Sequence, residues 1–210
     1  MLYLQVVFNG YIMDKNINCS VPLLSTTNKG FTLFELMIAT ALIGILSAIA
    51  MPGMNDFLIK MRVDNEISEM QRLLLTARSL AINTGKNTTV CPLESGSCTT
   101  SWGGEISVFT NDANTLANGT AFGANDELVK IKEAIKAGDK FQFATTSVIY
   151  TPTGRLLTPA VAASFSYCPY AEAEKSRGID LSVSGRSYTS SDTDDDDKDE
   201  DRNGNEIVCS

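Results

Sequence analysis

The side chains able to do chemistry in this sequence are carboxylates and cysteines, because its 210 residues include no histidine. Nucleophiles that depend on a histidine base are therefore excluded, as are zinc sites with histidine ligands. Paired acids suited to general acid and base roles do not occur outside the C-terminal tail. We therefore expect a protein that is not an enzyme, with no catalytic residue and no cofactor apart from the calcium considered next.

The acidic C-terminal tail, residues 192–210, carries most of the charge. It holds nine acids against two basic residues, which gives −7 of the net charge of −8. Asp199, Asp201 and Asn203 alternate before a glycine, as the first, third and fifth ligands of a calcium loop do. The twelfth place, normally a glutamate, is the terminal serine. Two interpretations stay open: a calcium site at these three residues, and the favoured one, a solvated acidic tail.

An apolar run from Phe31 to Met51 contains one acid, Glu35. As a helix, this run would extend about 30 Å, the thickness of the hydrocarbon core of a membrane. The basic residue lies in front of the run and no small-residue cleavage site follows it, so we expect residues 31–52 to remain on the mature chain as a membrane-spanning helix. An acid in such a helix costs roughly 2–3 kcal/mol, which indicates a function for Glu35.

The stretch KGFTLFELMIATALIGILSAIAMP resembles the N-terminus of type IV pilins and pseudopilins. The resemblance implies that prepilin peptidase cleaves between Gly30 and Phe31 and that Phe31 is then N-methylated. Residues 1–30 would be the cleaved leader, for which Met13 is a more economical start than the first methionine. Glu35 becomes the fifth residue of the mature chain. There it is expected to meet the N-terminal amine of a neighbouring subunit in a filament.

The same resemblance places the rest of the chain in the bacterial periplasm, attached to the inner membrane by a single span. Disulfides form in that compartment, and Cys91, Cys98, Cys168 and Cys209 are an even set once Cys19 leaves with the leader. Six residues separate the first two and no C-x-x-C occurs, which argues against a metal site. Three pairings are possible. We favour Cys91 with Cys98 and Cys168 with Cys209.

Beyond Pro52 the sequence is typical of an amphipathic helix. Apolar residues recur at intervals of three and four among charged ones, at Val63, Ile67, Met70, Leu74, Ala77 and Ala81. We expect this helix to continue to about Asn83 and to end at Thr84-Gly85. The apolar stripe is interpreted as core packing, and Arg78 and Lys86 as solvated.

After the helix the hydrophobic period changes to two. Short runs rich in β-branched and aromatic residues predict strands, namely KNTTVCPL, GEISVF, ELVKIK, KFQFATTSVIYTPTGRLL, ASFSYCP and RGIDLSVSGRSYT. We expect an α+β fold in which the long N-terminal helix packs on an antiparallel β-sheet, within a globular domain of residues 53–191. The order of these runs resembles the GspH/FimT branch of the pilin family, over nearly the whole mature chain.

That branch contains minor type IV pilins, which take part in pilus assembly, and the minor pseudopilin H of type II secretion systems. We favour a minor pilin, with a place at the filament tip as a finer hypothesis, and keep pseudopilin H as the alternative. A third hypothesis is DNA binding for uptake, for which the sequence offers Arg186, with Lys175 and Arg177 upstream. The acids that follow would oppose phosphate binding, so DNA is not favoured as a partner.

Overall fold

The computed structural model describes residues 30–111 and 120–209, without the side chains of residues 48–53. The leader expected before Gly30, together with Met13 and Cys19, lies outside the described residues. Internal contacts divide the chain into two compact parts, with the boundary after Ala48.

Helix α1 runs from Leu33 to Thr84. At its start, the Thr32 hydroxyl accepts a hydrogen bond from the Glu35 amide at 3.2 Å, which makes Thr32 the N-cap. At its end, Gly85 has a φ of 67° and its amide donates to the Ala81 carbonyl at 3.1 Å. A glycine in this left-handed conformation is a common C-terminal stop. The predicted end of the helix at Thr84-Gly85 is confirmed.

In the first part of helix α1, polar side chains turn back onto the helix. The Thr40 hydroxyl donates to the Met37 carbonyl at 3.0 Å, and the Ser47 hydroxyl to the Ile43 carbonyl at 2.7 Å. Such bonds satisfy the hydroxyls locally. The membrane span expected at residues 31–52 lies partly outside the residues whose side chains are described. Within the described residues, no helix has a stretch long and apolar enough to cross a membrane.

Ten strands and one 3-10 helix follow in the described residues. The strands are β1 Thr88–Glu94, β2 Ser97–Cys98, β3 Ile106–Thr110, β4 Glu127–Lys132, β5 Lys140–Gln142, β6 Val148–Tyr150, β7 Leu156–Thr158, β8 Ala163–Cys168, β9 Arg177–Leu181 and β10 Ser187–Thr189. The 3-10 helix is Ala173–Lys175. Each of the six runs predicted from the sequence overlaps at least one of these strands, and β1 and β3 each extend one residue beyond their run.

The strands form two antiparallel sheets. The first has the order β4-β3-β1-β6-β7, with β2 paired to β1, and the second has the order β10-β9-β8-β5. The two sheets are joined by a backbone hydrogen bond of 3.1 Å from the Leu156 amide to the Val183 carbonyl. The expected α+β fold is confirmed, with its strands in two sheets.

The second part of helix α1 supplies one side of the hydrophobic core. The stripe predicted from the sequence, Val63, Ile67, Met70, Leu74, Ala77 and Ala81, is fully buried, at most 1% exposed. It packs in one cluster with residues of both sheets and with Trp102. The Trp102 ring meets Phe143 and Phe165 edge to face, and its indole N–H donates to the Thr145 carbonyl at 2.8 Å.

The prediction that Arg78 is simply solvated is wrong. Its Nε donates to the Gly154 carbonyl at 2.9 Å, and its terminal nitrogen to the Ser184 carbonyl at 3.3 Å. These carbonyls belong to the β6–β7 turn of the first sheet and the β9–β10 turn of the second. Arg78 therefore joins the helix to both sheets. The backbone carbonyl groups that it binds cannot be recognised from the hydrophobic periodicity of the sequence. Lys86 is exposed, as expected.

The acidic tail is folded back on itself, although most of its acidic side chains are exposed to solvent. Single β-bridges join Ser191 to Glu200 and Glu200 to Glu206. The Ile207 amide donates to the Asp199 carbonyl at 3.0 Å. The tail therefore doubles back on itself, and one of its acids, Glu200, is only 6% exposed.

Candidate functional site

The expected cleavage pair, Gly30 and Phe31, lies immediately before helix α1. Both residues are exposed, Phe31 by 79%. Glu35 is exposed in the first turn of the helix. With Thr32 three residues earlier, it has the spacing of a capping box, in which the acid helps to satisfy free amides at the helix start. Glu35 therefore has a local role available in addition to the expected contact with another subunit.

The first part of helix α1 exposes its large apolar side chains. Their exposed fractions lie between 45% and 76%, for Leu33, Phe34, Leu36, Met37, Ile38, Leu42, Ile43, Ile45 and Leu46. A continuous apolar surface of this kind marks a site of association with protein or lipid.

Two disulfides fix the loops and the tail. Cys91 is bonded to Cys98, and Cys168 to Cys209, which is the pairing favoured from the sequence. The first closes the short β1–β2 hairpin. The second fastens the end of the tail to the end of β8, across a sequence separation of 41 residues.

Two of the three residues expected to bind calcium, Asp199 and Asp201, already have a carboxylate oxygen engaged in hydrogen bonds. Asp199 accepts hydrogen bonds from Arg177 Nε at 2.7 Å and from the Ser190 hydroxyl at 2.6 Å. Asp201 accepts from the amides of Asn205 and Asn203, at 2.9 and 2.7 Å. The Asn205 amide, together with that of Asn203, holds the pKa of Asp201 below its usual value.

A different group of acids converges a few residues earlier. Asp192, Asp194, Asp196 and Glu200 each offer a carboxylate oxygen, and these four oxygens lie within 4.8 Å of one another. The neighbouring carboxylates, Asp196 foremost, raise the pKa of Asp194. This group was not predicted from the sequence, although Asp192, Asp194 and Asp196 alternate as the first three ligands of a calcium loop do.

Arg186, the residue considered for DNA, is exposed at the β9–β10 turn. It lies beside Tyr188, whose pKa is lowered by a hydrogen bond from Arg186. The guanidinium of Arg202 stacks over the same tyrosine ring, 3.9 Å from its centre. Lys175 and Arg177 are engaged elsewhere, with Asp56 at 2.8 Å and Asp199 at 2.7 Å respectively.

A long, capped helix with an apolar first part, packed by its second part on antiparallel sheets, defines a structural protein of the pilin type. The family model for the type II transport protein GspH matches residues 66–185, and that for the prokaryotic N-terminal methylation motif matches residues 26–51. The chain belongs to the GspH family of pilin-like proteins, which are structural proteins and not enzymes.

Two relatives with curated names are fimbrial proteins. The type IV major fimbrial protein FimA of Dichelobacter nodosus is 31% identical over 59% of this chain and 73% of its own length. A fimbrial protein of Pseudomonas aeruginosa is 50% identical over 28% of this chain, but the match spans only 37% of that protein.

Two solved structures are similar to the chain. The type IV minor pilin FimU of Pseudomonas aeruginosa has a TM-score of 0.49 at 18% identity, over 63% of this chain and 90% of FimU. The minor pseudopilin EpsH from the type 2 secretion system of Vibrio cholerae has a TM-score of 0.44 at 13% identity, over 61% of this chain and 95% of EpsH.

Proposed function

We propose that this chain is a minor type IV pilin that takes part in pilus assembly. The observation that supports this proposal is the surface of the first part of helix α1. Its apolar side chains are exposed over several turns, and Glu35 is the single acid among them. In water such a surface is unfavourable, so it must be covered by lipid or by other subunits. The fimbrial relatives favour a pilus as the assembly in which that happens.

The N-terminal segment would act in two stages. Prepilin peptidase would first remove the residues up to Gly30, which leaves a new, N-methylated amine on Phe31 while the apolar helix stays in the inner membrane. On assembly, Glu35 of one subunit would pair with the amine of its neighbour. A carboxylate in apolar surroundings is costly unless a cation pairs with it, so this contact favours one axial register between subunits.

The test separates the charge of Glu35 from its capping role. Glu35→Gln keeps the side-chain length and an oxygen able to accept a hydrogen bond, but has no charge to pair with an amine. Thr32→Ala removes the N-cap bond of 3.2 Å and leaves the charge, at a cost of about 1 kcal/mol in helix stability. Each variant is expressed in cells that lack the native chain. Intact mass of the membrane-extracted protein gives its N-terminus, and immunoblots of sheared filaments give its incorporation.

We expect both variants to be processed to Phe31. Glu35→Gln should enter filaments at least about tenfold less than the native chain, the equivalent of roughly 1.4 kcal/mol. Thr32→Ala should enter within about twofold. Equal loss for the two variants would mean that the cap, and not the charge, is what assembly requires. An N-terminus other than Phe31 would contradict the proposed processing.

A second candidate is the minor pseudopilin H of a type II secretion system. It is favoured by the description of the matching family model, a type II transport protein, over residues 66–185. Deletion of the gene separates the two: loss of surface pili with normal secretion supports the minor pilin, and retained pili with lost secretion supports the pseudopilin. A place at the filament tip is the finer hypothesis, tested by gold labelling of isolated pili.

A further inference from the structure

The acidic loop, residues 192–200, brings together four carboxylates from the first half of the tail. Oxygens of Asp192, Asp194, Asp196 and Glu200 lie within 4.8 Å of one another. At such separations like charges repel strongly, and the repulsion is greater where burial reduces solvent screening. A cation close to these oxygens would therefore stabilise the arrangement.

Glu200 gives the most direct indication that the acidic loop binds a cation. Its Oε2 accepts hydrogen bonds from the Thr193 amide at 2.7 Å and the Thr193 hydroxyl at 2.6 Å. Its Oε1 is buried and has no hydrogen-bond partner, and the residue as a whole is only 6% exposed. A buried carboxylate oxygen without a donor carries the full cost of its lost hydration, unless a cation takes the place of the donor.

Lysines supply little of the charge that the loop needs. Lys198 Nζ lies 3.7 Å from Asp196, but it is closer to Glu206, at 3.1 Å. Lys60 pairs with Asp197, which is not one of the four. Across the described residues, no ion pair within 4.0 Å joins a basic group to Asp192, Asp194 or Glu200.

The acidic loop matches a calcium loop at five places. Asp192, Asp194 and Asp196 occupy the first, third and fifth places, and Glu200 the ninth. The sixth place, where such loops need a left-handed residue for a sharp turn, is Asp197, with a φ of 68°. The amides of residues 195 and 197 donate to the Asp192 carboxylate at 2.8 and 3.0 Å, which keeps the turn closed around it.

We propose that the acidic loop binds one calcium ion through the carboxylates of Asp192, Asp194, Asp196 and Glu200. Ca²⁺ takes carboxylate oxygens at 2.3–2.6 Å, so that ligands on opposite sides of the ion are about 5 Å apart, which accommodates the observed spread. Mg²⁺ requires about 2.1 Å and a strict octahedron, and suits this group less well. The ion supplies Glu200 Oε1 with a partner and fixes the tail between the second sheet and the Cys168–Cys209 bond.

The test uses the full chain in detergent, freed of metal by chelator and returned to buffer with 150 mM salt. Its melting temperature is measured with and without 5 mM calcium, and calcium binding is measured directly by calorimetry. For a dissociation constant of about 10⁻⁴ to 10⁻³ M, a single site should raise the melting temperature by about 2 to 9 °C. Binding should saturate at one ion per chain, and 5 mM magnesium should give less than half of the shift.

Two acids of the same run provide a matched pair of variants. Asp194→Asn removes one proposed ligand, whereas Asp195→Asn makes the same change of charge one residue away. Asp195 has a φ of 62° and asparagine adopts that conformation readily. We expect Asp194→Asn to weaken calcium binding at least about tenfold and Asp195→Asn to leave it within about twofold. Glu200→Gln is the second variant, with loss of binding in calorimetry as its readout.

Three results would overturn the proposal. The first is a native chain whose melting temperature and calorimetric signal do not respond to calcium. The second is equal weakening by Asp194→Asn and Asp195→Asn, which would indicate diffuse screening of the tail. The third is an equal shift from magnesium, which would exclude a site selective for calcium.

Discussion

The buried ion pair between Glu66 on helix α1 and Lys132 on strand β4 should respond unequally to the loss of either partner. Lys132 Nζ lies 2.6 Å from Glu66 Oε2, and the lysine side chain is 3% exposed against 19% for the glutamate. Glu66→Gln leaves the buried ammonium of Lys132 without its nearest carboxylate, and removing one partner of a buried ion pair typically costs about 3–5 kcal/mol. Glu69, 3.8 Å away, and the Glu133 carbonyl, 3.2 Å away, remain as partial partners. We therefore expect a loss of about 2 kcal/mol, or a melting temperature lower by about 4 to 8 °C.

Lys132→Met is the informative counterpart, because it removes the charge and keeps most of the buried aliphatic stem. Glu66 is then unpaired but close enough to the surface to be hydrated, so the loss should stay below about 1 kcal/mol. Trp102 is the single tryptophan of the chain and is fully buried, so its fluorescence reports unfolding of the core alone. Urea unfolding of the full chain in detergent measures both variants. If Lys132→Met lowers the free energy of unfolding as much as Glu66→Gln does, desolvation of the unpaired lysine is not the cause of the difference expected here. That result would refute the explanation.

Three further predictions concern the turns and the tail. Gly185→Ala should cost at least about 3 kcal/mol in urea unfolding, because a Cβ there would lie 2.0 Å from the Gly154 carbonyl at a φ of 78°; the control Gly204→Ala has the same φ with nothing within 4 Å and should cost about 1 kcal/mol. Replacing both Cys168 and Cys209 by serine should cost about 4 kcal/mol, against about 2.5 for the Cys91–Cys98 pair, since the sequence separations are 41 and 7 residues. The pKa of Asp201 in the folded chain is lowered from 3.8, so the ionised carboxylate stabilises the fold above pH 3.8 and loses this effect as the pH falls through the folded pKa. The difference in melting temperature between the native chain and Asp201→Asn should therefore close from pH 5 to pH 3.

Local periodicity was sufficient to predict the helix and the strands. The stripe from Val63 to Ala81 repeats every three or four residues, and all six of its members are buried. The helix ends where glycine allows a left-handed residue, as predicted for Gly85. These features depend on neighbours a few residues apart, which a sequence displays directly.

Contacts between distant segments could not be predicted in this way. Arg78 binds carbonyls 76 and 106 residues further along the chain. Asp139 is similar: it accepts the Tyr167 hydroxyl at 2.5 Å and lies 3.0 Å from Arg62 Nε, an ion pair without the alignment of a hydrogen bond. In both cases the sequence shows an ordinary charged residue, and its role follows from how the helix and the sheets pack.

The calcium-loop pattern of alternating oxygens fits the acidic tail in two registers, one starting at Asp192 and the other at Asp199. Tertiary contacts distinguish the two registers. Alternating oxygens followed by glycine led the sequence analysis to Asp199 and the residues after it. In the structure, Arg177 on β9 binds Asp199 and also Asp64 of helix α1, so that this carboxylate ties the tail to the helix and sheet. The left-handed residue that the earlier register needs is Asp197, an aspartate where the rule asks for glycine. Because Arg177 binds Asp199, this carboxylate is used to hold the tail to the helix and the sheet. The four carboxylates grouped in the acidic loop, in contrast, lie close to one another.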